Sequence, residues 1–301
     1  MGLMLGTFTV LGFLIARDWN TLWQFRWHLR PSLLILALGC HAASLAGIFI
    51  AWRLIMARLG SPVGARIDFH IYFLSVAARK IPSAIWYAGT RLLLYSQEGV
   101  RASLVLNAIA LEFGIAVLTG GWVFIAFQSY YAFMEDYAWV RWGVSLLTVL
   151  LTGLFLVRPR LLVRWIRRDR RKREEHFSLL LPNWGELLAC ALVYFTAWVV
   201  GGTSFYLTIR ALILDPGIDW INAVGVATLS TLVVLVGTVL PVGIGLKELA
   251  AGVLLSLWLP MPVGLSVAVV YRILQVLDEA LWVGVAYFLR PKASEQGSHP
   301  R

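Results

Sequence analysis

The chain has 301 residues, of which 59% are hydrophobic and only 14% are charged. Several uncharged stretches reach the roughly 20 residues that a helix needs to cross a bilayer, and the pattern does not suit the alternating strands of a membrane barrel. This composition excludes a soluble globular protein and predicts an all-α polytopic membrane protein.

The net charge of +10 comes largely from loops beside the predicted spans. Residues 158–173 hold nine Arg or Lys residues and a single acid, Asp169. Basic loops of this kind stay in the cytoplasm and attract anionic lipid. The charge pattern therefore predicts a multi-pass protein of the cell membrane, with loop 158–173 and the C-terminus in the cytoplasm. It does not predict a nucleic-acid partner.

Two spans are predicted at the start of the chain. Met1–Ala16 is interpreted as the first span because it lacks the basic start of a cleaved signal. Arg17–Arg30 carries three Trp residues and mixed charge, which is typical of an interfacial segment. Ser32–Trp52 is the second span, and Arg53–Arg66 is predicted to be a loop.

The first irregular segment is Asp68–Tyr95. Arg79, Lys80 and Pro82 interrupt its apolar sequence, and Arg91 follows in its second part. Proline breaks a helix, and basic side chains are costly in hydrocarbon. A full crossing would also place the preceding arginines outside, against the positive-inside rule. The sequence therefore predicts a broken, re-entrant hairpin that enters and leaves on the cytoplasmic side.

Three further spans follow this hairpin. Ala102–Phe127 is charged only at Glu112, Trp142–Val157 precedes the basic loop, and Leu187–Ile209 carries no charge.

The second irregular segment covers residues 220–259. Residues 220–246 hold no Asp, Glu, Lys or Arg, and neither do residues 249–271. Where these runs meet, the chain has one proline, two glycines and two adjacent opposite charges: Pro241, Gly243, Gly245, Lys247 and Glu248. Broken backbone is tolerated in a membrane where protein or trapped water satisfies it. We expect a second re-entrant hairpin with a polar site at its break; the alternative is a surface loop with both charges in water.

The last span, Val263–Leu289, carries Arg272, Asp278 and Glu279. Seven residues separate Arg272 from Glu279, so both lie on one helix face, which we expect to meet the second hairpin. The whole chain, residues 1–301, is then a single transmembrane domain. It has about six full spans and two broken or re-entrant hairpins.

The order span, hairpin, span occurs twice, in residues 32–127 and 187–289, which residues 128–186 join. The hairpins enter from opposite sides, so the halves are predicted to be inverted repeats. Residues 81–85 and 240–244 are weakly similar and occupy corresponding places. In transporters, paired breaks of this kind indicate a binding site near the membrane midplane.

Charged residues near the breaks suggest which ligand such a site takes. Exposed N–H groups at helix N-termini attract anions, and Arg and Lys bind phosphate. The candidate cations are Arg79, Lys80, Arg91, Lys247 and Arg272. The candidate acids are Glu112, Glu248, Asp278 and Glu279, and they either balance these cations as structural ion pairs or carry protons.

No catalytic, cofactor or metal-binding pattern is present in the sequence. His41 and His70 are single and are interpreted as ordinary interior or interfacial residues. The glycine pairs Gly120-Gly121 and Gly201-Gly202 are predicted to be positions of close helix packing.

Three places carry a resemblance to a known family. The run from Arg79 to Trp86, with Arg91 after it, is similar to a "Y-x-P-G-x-x-W…R" element. Residues 240–248 are similar to "P-G-G-[IL]-G-x-[RK]-E", and Glu112 matches an acidic position. On these residues the chain resembles the lysylphosphatidylglycerol synthase transmembrane-region family, also described as flippase-like proteins.

The resemblance implies a lipid-handling membrane protein that moves a phospholipid or polyprenyl-linked head group between leaflets. The aminoacyl-transfer domain of two-domain members is expected to be absent, so we do not expect an enzyme. The predicted head-group site consists of Arg79, Lys80, Pro82, Trp86, Arg91, Glu112, Pro241, Gly243, Gly245, Lys247, Glu248, Arg272 and Glu279. Two alternatives stay open: an accessory protein that binds lipid or a partner enzyme, and a membrane-embedded lipid-phosphate transferase.

Overall fold

The computed structural model describes residues 18–78, 84–127, 138–157, 184–237 and 245–289. Within these ranges all regular structure is helical, which confirms the all-α prediction. The helices are α1 (Trp19–Gln24), α2 (Pro31–Arg58), α3 (Ala65–Ala78), α4 (Ala84–Gln97), α5 (Ala102–Phe127), α6 (Ala138–Val157), α7 (Trp184–Leu212), α8 (Trp220–Gly237), α9 (Leu246–Leu255) and α10 (Met261–Phe288).

Five of these helices, α2, α5, α6, α7 and α10, are long and apolar enough to cross a membrane. They correspond to five of the six predicted spans, and the chain is a multi-pass membrane protein. The sixth predicted span, Met1–Ala16, lies outside the described residues, as do the basic loop 158–173 and the tail from residue 290.

The predicted loop Arg53–Arg66 is wrong at its start. Arg53 and Arg58 lie in the last turns of α2, because nothing breaks the helix before Gly60, which adopts φ 80°, and Pro62. At about 1.5 Å per residue α2 is longer than the roughly 30 Å of hydrocarbon. Its basic last turns can therefore extend beyond the bilayer core.

The first irregular segment forms a helical hairpin. Helices α3 and α4 have 14 residues each, about 21 Å, and are too short to cross the bilayer singly. Near the break, Arg91 Nε donates to Ser75 Oγ at 2.9 Å. Farther from the break, Tyr95 Oη donates to Asp68 Oδ1 at 2.8 Å. This antiparallel order shows that α4 folds back along α3.

The second irregular segment also contains two packed helices. Helix α8 has 18 residues and α9 only 10, and they contact each other. The break between them, residues 238–244, lies outside the described part of the chain.

Helices α2 and α7 pack on each other and run antiparallel. Ser204 Oγ donates to the Ala37 carbonyl at 2.7 Å, and Ser44 Oγ donates to the Ala197 carbonyl at 2.8 Å. Small side chains at these positions let the two backbones approach closely.

When α2–α5 are exchanged with α7–α10, the same pairs of helices are in contact. Helix α2 contacts α3, α5 and α10, and α7 correspondingly contacts α8, α10 and α5. The pairs α3–α4, α4–α5 and α3–α10 have counterparts in α8–α9, α9–α10 and α8–α5. Outside the two sets, α1 packs on α10 as α6 packs on α5.

The predicted packing role of the glycine pairs is confirmed. A Cβ atom added to Gly121 would lie 2.3 Å from Thr148 Oγ1, and one on Gly202 would lie 2.9 Å from the Val224 Cα. These positions bring α5 against α6 and α7 against α8.

Candidate functional site

The first polar cluster lies under the first hairpin and centres on Arg91. This side chain from α4 is fully buried, and its Nη1 donates to Glu112 Oε2 at 2.5 Å. Glu112 stands on α5 and also accepts a bond from Tyr87 Oη at 2.9 Å. The acid therefore forms an ion pair, one of the two roles left open by the sequence.

Aromatic rings enclose the Arg91 guanidinium. Its central carbon lies 3.8 Å from the ring centroid of Trp52, 4.6 Å from that of Tyr72 and 4.3 Å from that of Tyr87. Cation–π contacts are strongest where water is excluded. The charge is thus stabilised by the rings as well as by Glu112.

A second layer of polar contacts ties the hairpin to α2. Asp68 is fully buried and accepts bonds from Tyr95 Oη and from Arg53 Nη1. Trp52 Nε1 donates to Tyr95 Oη at 2.9 Å. The carboxylate, the phenol and the indole therefore connect α2, α3 and α4.

Two donors of this cluster are buried without hydrogen-bond partners among the described residues: Arg91 Nη2 and Tyr194 Oη. Tyr194 lies close enough to Arg91 and Glu112 to interact electrostatically with both. Most buried polar groups have a partner, and leaving one without costs free energy. An internal water or a ligand oxygen would satisfy both groups.

The second polar cluster surrounds a pocket beneath the second hairpin. The pocket has about 240 Å³ of empty space, part of it at the open mouth. Helices α7, α8, α9 and α10 supply its lining, which consists of Phe205, Ala227, Ser230, Lys247, Glu248, Ala251, Ala268, Tyr271, Arg272 and Gln275.

The pocket carries two cations and one carboxylate among the lining residues described. Arg272 Nε lies 3.3 Å from Glu248 Oε1, and Lys247 Nζ lies 3.5 Å from Gln275 Oε1. The ammonium is also 5.6 Å from the ring centroid of Tyr271. The Arg272 side chain is 28% exposed, against 8% for Glu248, so the cationic side of the pair is the accessible one.

The start of α9 adds backbone donors to this cluster. Gly245 adopts φ 113°, a conformation that favours glycine, and α9 begins at the next residue. No side chain within the described ranges caps this end of the helix. Uncapped N–H groups at a helix N-terminus attract negative charge.

A buried pair that sequence reasoning missed lies next to the pocket. His41 Nδ1 lies 2.6 Å from Asp278 Oδ2, and the Gln275 amide nitrogen lies 3.3 Å from His41 Nε2. His41 was predicted to be an ordinary interior or interfacial residue; it is buried and contacts Asp278 and Gln275 of α10. The available signal was a histidine in a span without other charge, together with two polar residues three positions apart on another span.

The predicted site residues fall into three groups. Lys247, Glu248 and Arg272 meet at the pocket, and the prediction that the Arg272 face contacts the second hairpin is confirmed at Arg272. Arg91 and Glu112 meet in the first cluster, and neither lines the pocket.

The remaining predicted residues are placed elsewhere. Trp86 is 53% exposed on α4, and Glu279 is partly buried on α10 outside the pocket lining. Five lie outside the described residues: Arg79, Lys80, Pro82, Pro241 and Gly243. The part of the chain that the structure describes contains no group of three or more His, Cys, Asp or Glu residues able to hold a metal ion.

Comparison with known proteins supports the resemblance found in the motifs. The family model for the lysylphosphatidylglycerol synthase TM region matches residues 2–278, nearly the whole chain. No curated protein matches the chain. The matched region includes both hairpins and both polar clusters. The chain therefore belongs to the lipid-related membrane family of the lysylphosphatidylglycerol synthase TM region.

Proposed function

We propose that this protein moves a lipid with an anionic, phosphate-bearing head group between the two leaflets of the cell membrane. The head group enters the pocket beneath the second hairpin while the acyl tails stay in the bilayer. The observation that carries this proposal is the pocket itself, where Lys247 and Arg272 are accessible beside a helix break.

The position of these charges argues for function. Arg272 lies near the middle of α10, a 28-residue helix that is long enough to span the membrane. A charged side chain at the centre of a bilayer costs about 2.5–3.5 kcal/mol on insertion scales, and such residues mark substrate pathways or proton relays. Two cations beside one carboxylate leave an excess of positive charge, which an anionic ligand would neutralise.

The chemistry of the pocket suits a phosphate group. The Arg272 guanidinium can donate two parallel bonds to phosphate oxygens, and Lys247 supplies a point charge with three donors. The uncapped start of α9 offers backbone N–H groups on the same side. Glu248 pairs with Arg272, so an incoming phosphate would compete with that carboxylate.

The packing of the helices supports the proposed inverted repeat. When α2–α5 are exchanged with α7–α10, each helix has the equivalent neighbouring helices, as a two-fold axis requires. Because α2 and α7 are antiparallel, the axis that exchanges them is perpendicular to both helices and lies in the membrane plane. Repeats related in this way allow transporters to alternate access by rocking one half against the other.

The two hairpins differ in accessibility, as one state of such a cycle requires. The second opens to a pocket, whereas the Arg91 side chain of the first is fully enclosed. In the opposite state we expect the second pocket to close and the first cluster to open, with Arg91 Nη2 and Tyr194 Oη as unpartnered donors for a head group.

The proposal is tested by head-group translocation in liposomes that contain the purified protein and labelled phospholipids. We expect Lys247→Gln/Arg272→Gln to lose most of the movement seen with the wild type. The matched control is Arg58→Gln, which removes an accessible Arg–Glu pair, Arg58 with Glu186, away from the pocket.

Two results would contradict the proposal. Undiminished movement in the Lys247→Gln/Arg272→Gln variant would show that the site lies elsewhere. Absence of movement for phospholipids and polyprenyl-linked sugars alike would favour an accessory lipid-binding role.

We also propose that the basic loop 158–173 lies in the cytoplasm, and this orientation has a separate test. With Cys40 and Cys190 replaced by serine, Arg173→Cys should react with a membrane-impermeant maleimide in inside-out vesicles and not in right-side-out ones. The reverse pattern would show that the basic loop is outside.

A further inference from the structure

A line of four side chains connects the proposed head-group site to a buried carboxylate. Lys247 Nζ contacts Gln275 Oε1 at 3.5 Å, the other end of that amide contacts His41 Nε2 at 3.3 Å, and His41 Nδ1 contacts Asp278 Oδ2 at 2.6 Å. His41 is 7% exposed and Asp278 is 2% exposed. The line therefore runs from the pocket into the packed interior between α2 and α10.

Each hydrogen bond in this line is donated in the direction of Asp278. An ammonium only donates, so Gln275 must turn its oxygen to Lys247 and its NH2 group to His41. His41 Nε2 then accepts, and Nδ1 carries the proton that is donated to Asp278. In this arrangement the imidazole is neutral, and Lys247 balances the charge of Asp278 through the two side chains between them.

A proton on His41 Nε2 is incompatible with that arrangement. The new N–H needs an acceptor, which Gln275 supplies when its amide turns by about 180°. The NH2 group would then face the Lys247 ammonium, donor against donor, so the ammonium must leave. Asp278 is now balanced by the imidazolium beside it, and Lys247 has lost its contact with the Gln275 oxygen.

Within the described residues, the helices around this line carry other titratable side chains: Cys40 on α2, His70 on α3, Lys247 and Glu248 on α9, and Tyr271, Arg272 and Glu279 on α10. His70 Nδ1 lies 2.9 Å from the Ala286 carbonyl, and Tyr271 Oη donates to the Gly201 carbonyl at 3.0 Å.

The remaining acids of the neighbouring helices are paired with arginines. Asp68 of α3 contacts Arg53, Glu112 of α5 contacts Arg91, and Glu248 of α9 contacts Arg272. Tyr194 of α7 lies with the Arg91 cluster, and α1 contains no titratable side chain. Along this line, His41 is the base that contacts a carboxylate among the described residues.

We infer that His41 and Asp278 form a proton site whose occupancy is linked, through Gln275, to anion binding at Lys247. When His41 binds a proton, the Lys247 ammonium leaves Gln275 and can bind a phosphate. Conversely, a phosphate that binds Lys247 draws the ammonium away from Gln275, and the Gln275 amide can then turn toward a protonated His41. The proton comes from solvent that reaches the pocket and stays on Nε2, with no bond to a heavy atom broken. This inference rests on the proposed function for the identity of the anion, and one proton would then accompany each head group.

The proton site is tested first without lipid, by nitrogen-15 NMR of histidine-labelled protein in nanodiscs, with His41 assigned by its loss in His41→Asn. We expect an imidazole that carries its proton on Nδ1 and gains a second proton on acidification. Lys247→Gln should change this response, because it removes the donor that fixes the Gln275 amide. An imidazole that keeps one state on acidification, or that responds identically in the variant, overturns the inference.

The linkage is tested by calorimetric titration with dihexanoylphosphatidylglycerol in buffers of different ionisation enthalpy. We expect net proton uptake on binding in the wild type. His41→Asn keeps a donor to Asp278 and should bind the lipid without taking up a proton. Lipid binding without proton uptake, or equal uptake in His41→Asn, overturns the linkage.

The two experiments separate the inference from the proposed function. If the lipid does not bind while His41 responds to Lys247→Gln, the proposed function fails and the proton site is supported. If the lipid binds and His41 never changes state, the proposed function is supported and the inference fails.

Discussion

The two hairpins carry the same pair of charges in opposite order. In the first, the cation Arg91 stands on the hairpin and the acid Glu112 on the following span. In the second, the acid Glu248 stands on the hairpin and the cation Arg272 on the following span. Each pair joins a hairpin to the helix after it, so the difference between the sites lies in their surroundings.

Neighbouring side chains decide whether the pair is sealed or accessible. The first is surrounded by large rings, those of Trp52, Tyr72 and Tyr87. The second is bordered by small residues that leave a pocket: Ala227, Ser230, Ala251 and Ala268. The second site also has Lys247, which gives it excess positive charge. An ion pair in a membrane can thus be structural or ligand-binding according to the volume packed around it.

The largest loss of stability is expected when Arg91, the enclosed cation, is replaced. Arg91→Met leaves Glu112 buried without its charged partner, which for a buried pair costs about 3–5 kcal/mol. Arg272→Met removes a cation that is already partly exposed and leaves Lys247 in the same pocket as Glu248, so the loss of stability should be smaller. Thermal unfolding in detergent, followed by fluorescence-detected size exclusion, measures both. Equal losses would contradict the distinction between the two sites.

The double variant Arg91→Met/Glu112→Gln is the control for this comparison. It removes both charges, so it should recover much of the stability lost in the single variant. A double variant as unstable as Arg91→Met would show that the guanidinium acts through the rings and not through the acid.

A smaller effect is expected where the second hairpin packs on α10. A Cβ atom on Gly252 would lie 2.3 Å from Leu265 Cδ2 and 3.1 Å from the Leu265 Cα. Gly252→Ala should therefore cost about 1–3 kcal/mol by overpacking. In Gly114→Ala nothing lies within 4 Å of the new atom, and this change should be neutral or stabilising. Equal melting temperatures for the two variants would argue against close packing of α9 on α10.

The smallest effect is expected for an unpartnered hydroxyl in the sealed cluster. Tyr194→Phe removes a buried group that has no hydrogen-bond partner among the described residues, so stability should be unchanged or slightly higher. Tyr95→Phe removes a hydroxyl bonded to Trp52 and Asp68 and should cost about 1–3 kcal/mol. A loss in Tyr194→Phe as large as in Tyr95→Phe would indicate an ordered water or ligand on Tyr194.

Local features of the sequence were sufficient for the five long helices and for the first helical hairpin. Uncharged length marked the long helices, and a proline beside basic residues marked the break before α4. The end of α2 was misplaced because Arg53 and Arg58 were taken as loop residues, although a helix can continue past the hydrocarbon until a residue such as Gly60 stops it. Charge alone is thus a poor guide to the residue at which a helix ends.

Contacts between distant helices could not be derived in the same way. No sequence pattern pairs Arg91 with Glu112, and His41 and Asp278 are 237 positions apart. Such pairs depend on how α2, α5 and α10 are placed in three dimensions, which helix periodicity does not encode. For Glu248 and Arg272, the sequence predicted only that the helix face carrying Arg272 meets the second hairpin.

The most direct test of the account is to locate the lipid phosphate relative to Lys247. Phosphorus-31 to nitrogen-15 dipolar recoupling on lysine-labelled protein in anionic bilayers reports which ammonium group lies next to a phosphate that stays bound. We predict a recoupled lysine signal that disappears in Lys247→Gln and persists in Arg58→Gln. A recoupled signal that is unchanged in Lys247→Gln would place the bound phosphate away from the second hairpin and contradict the account.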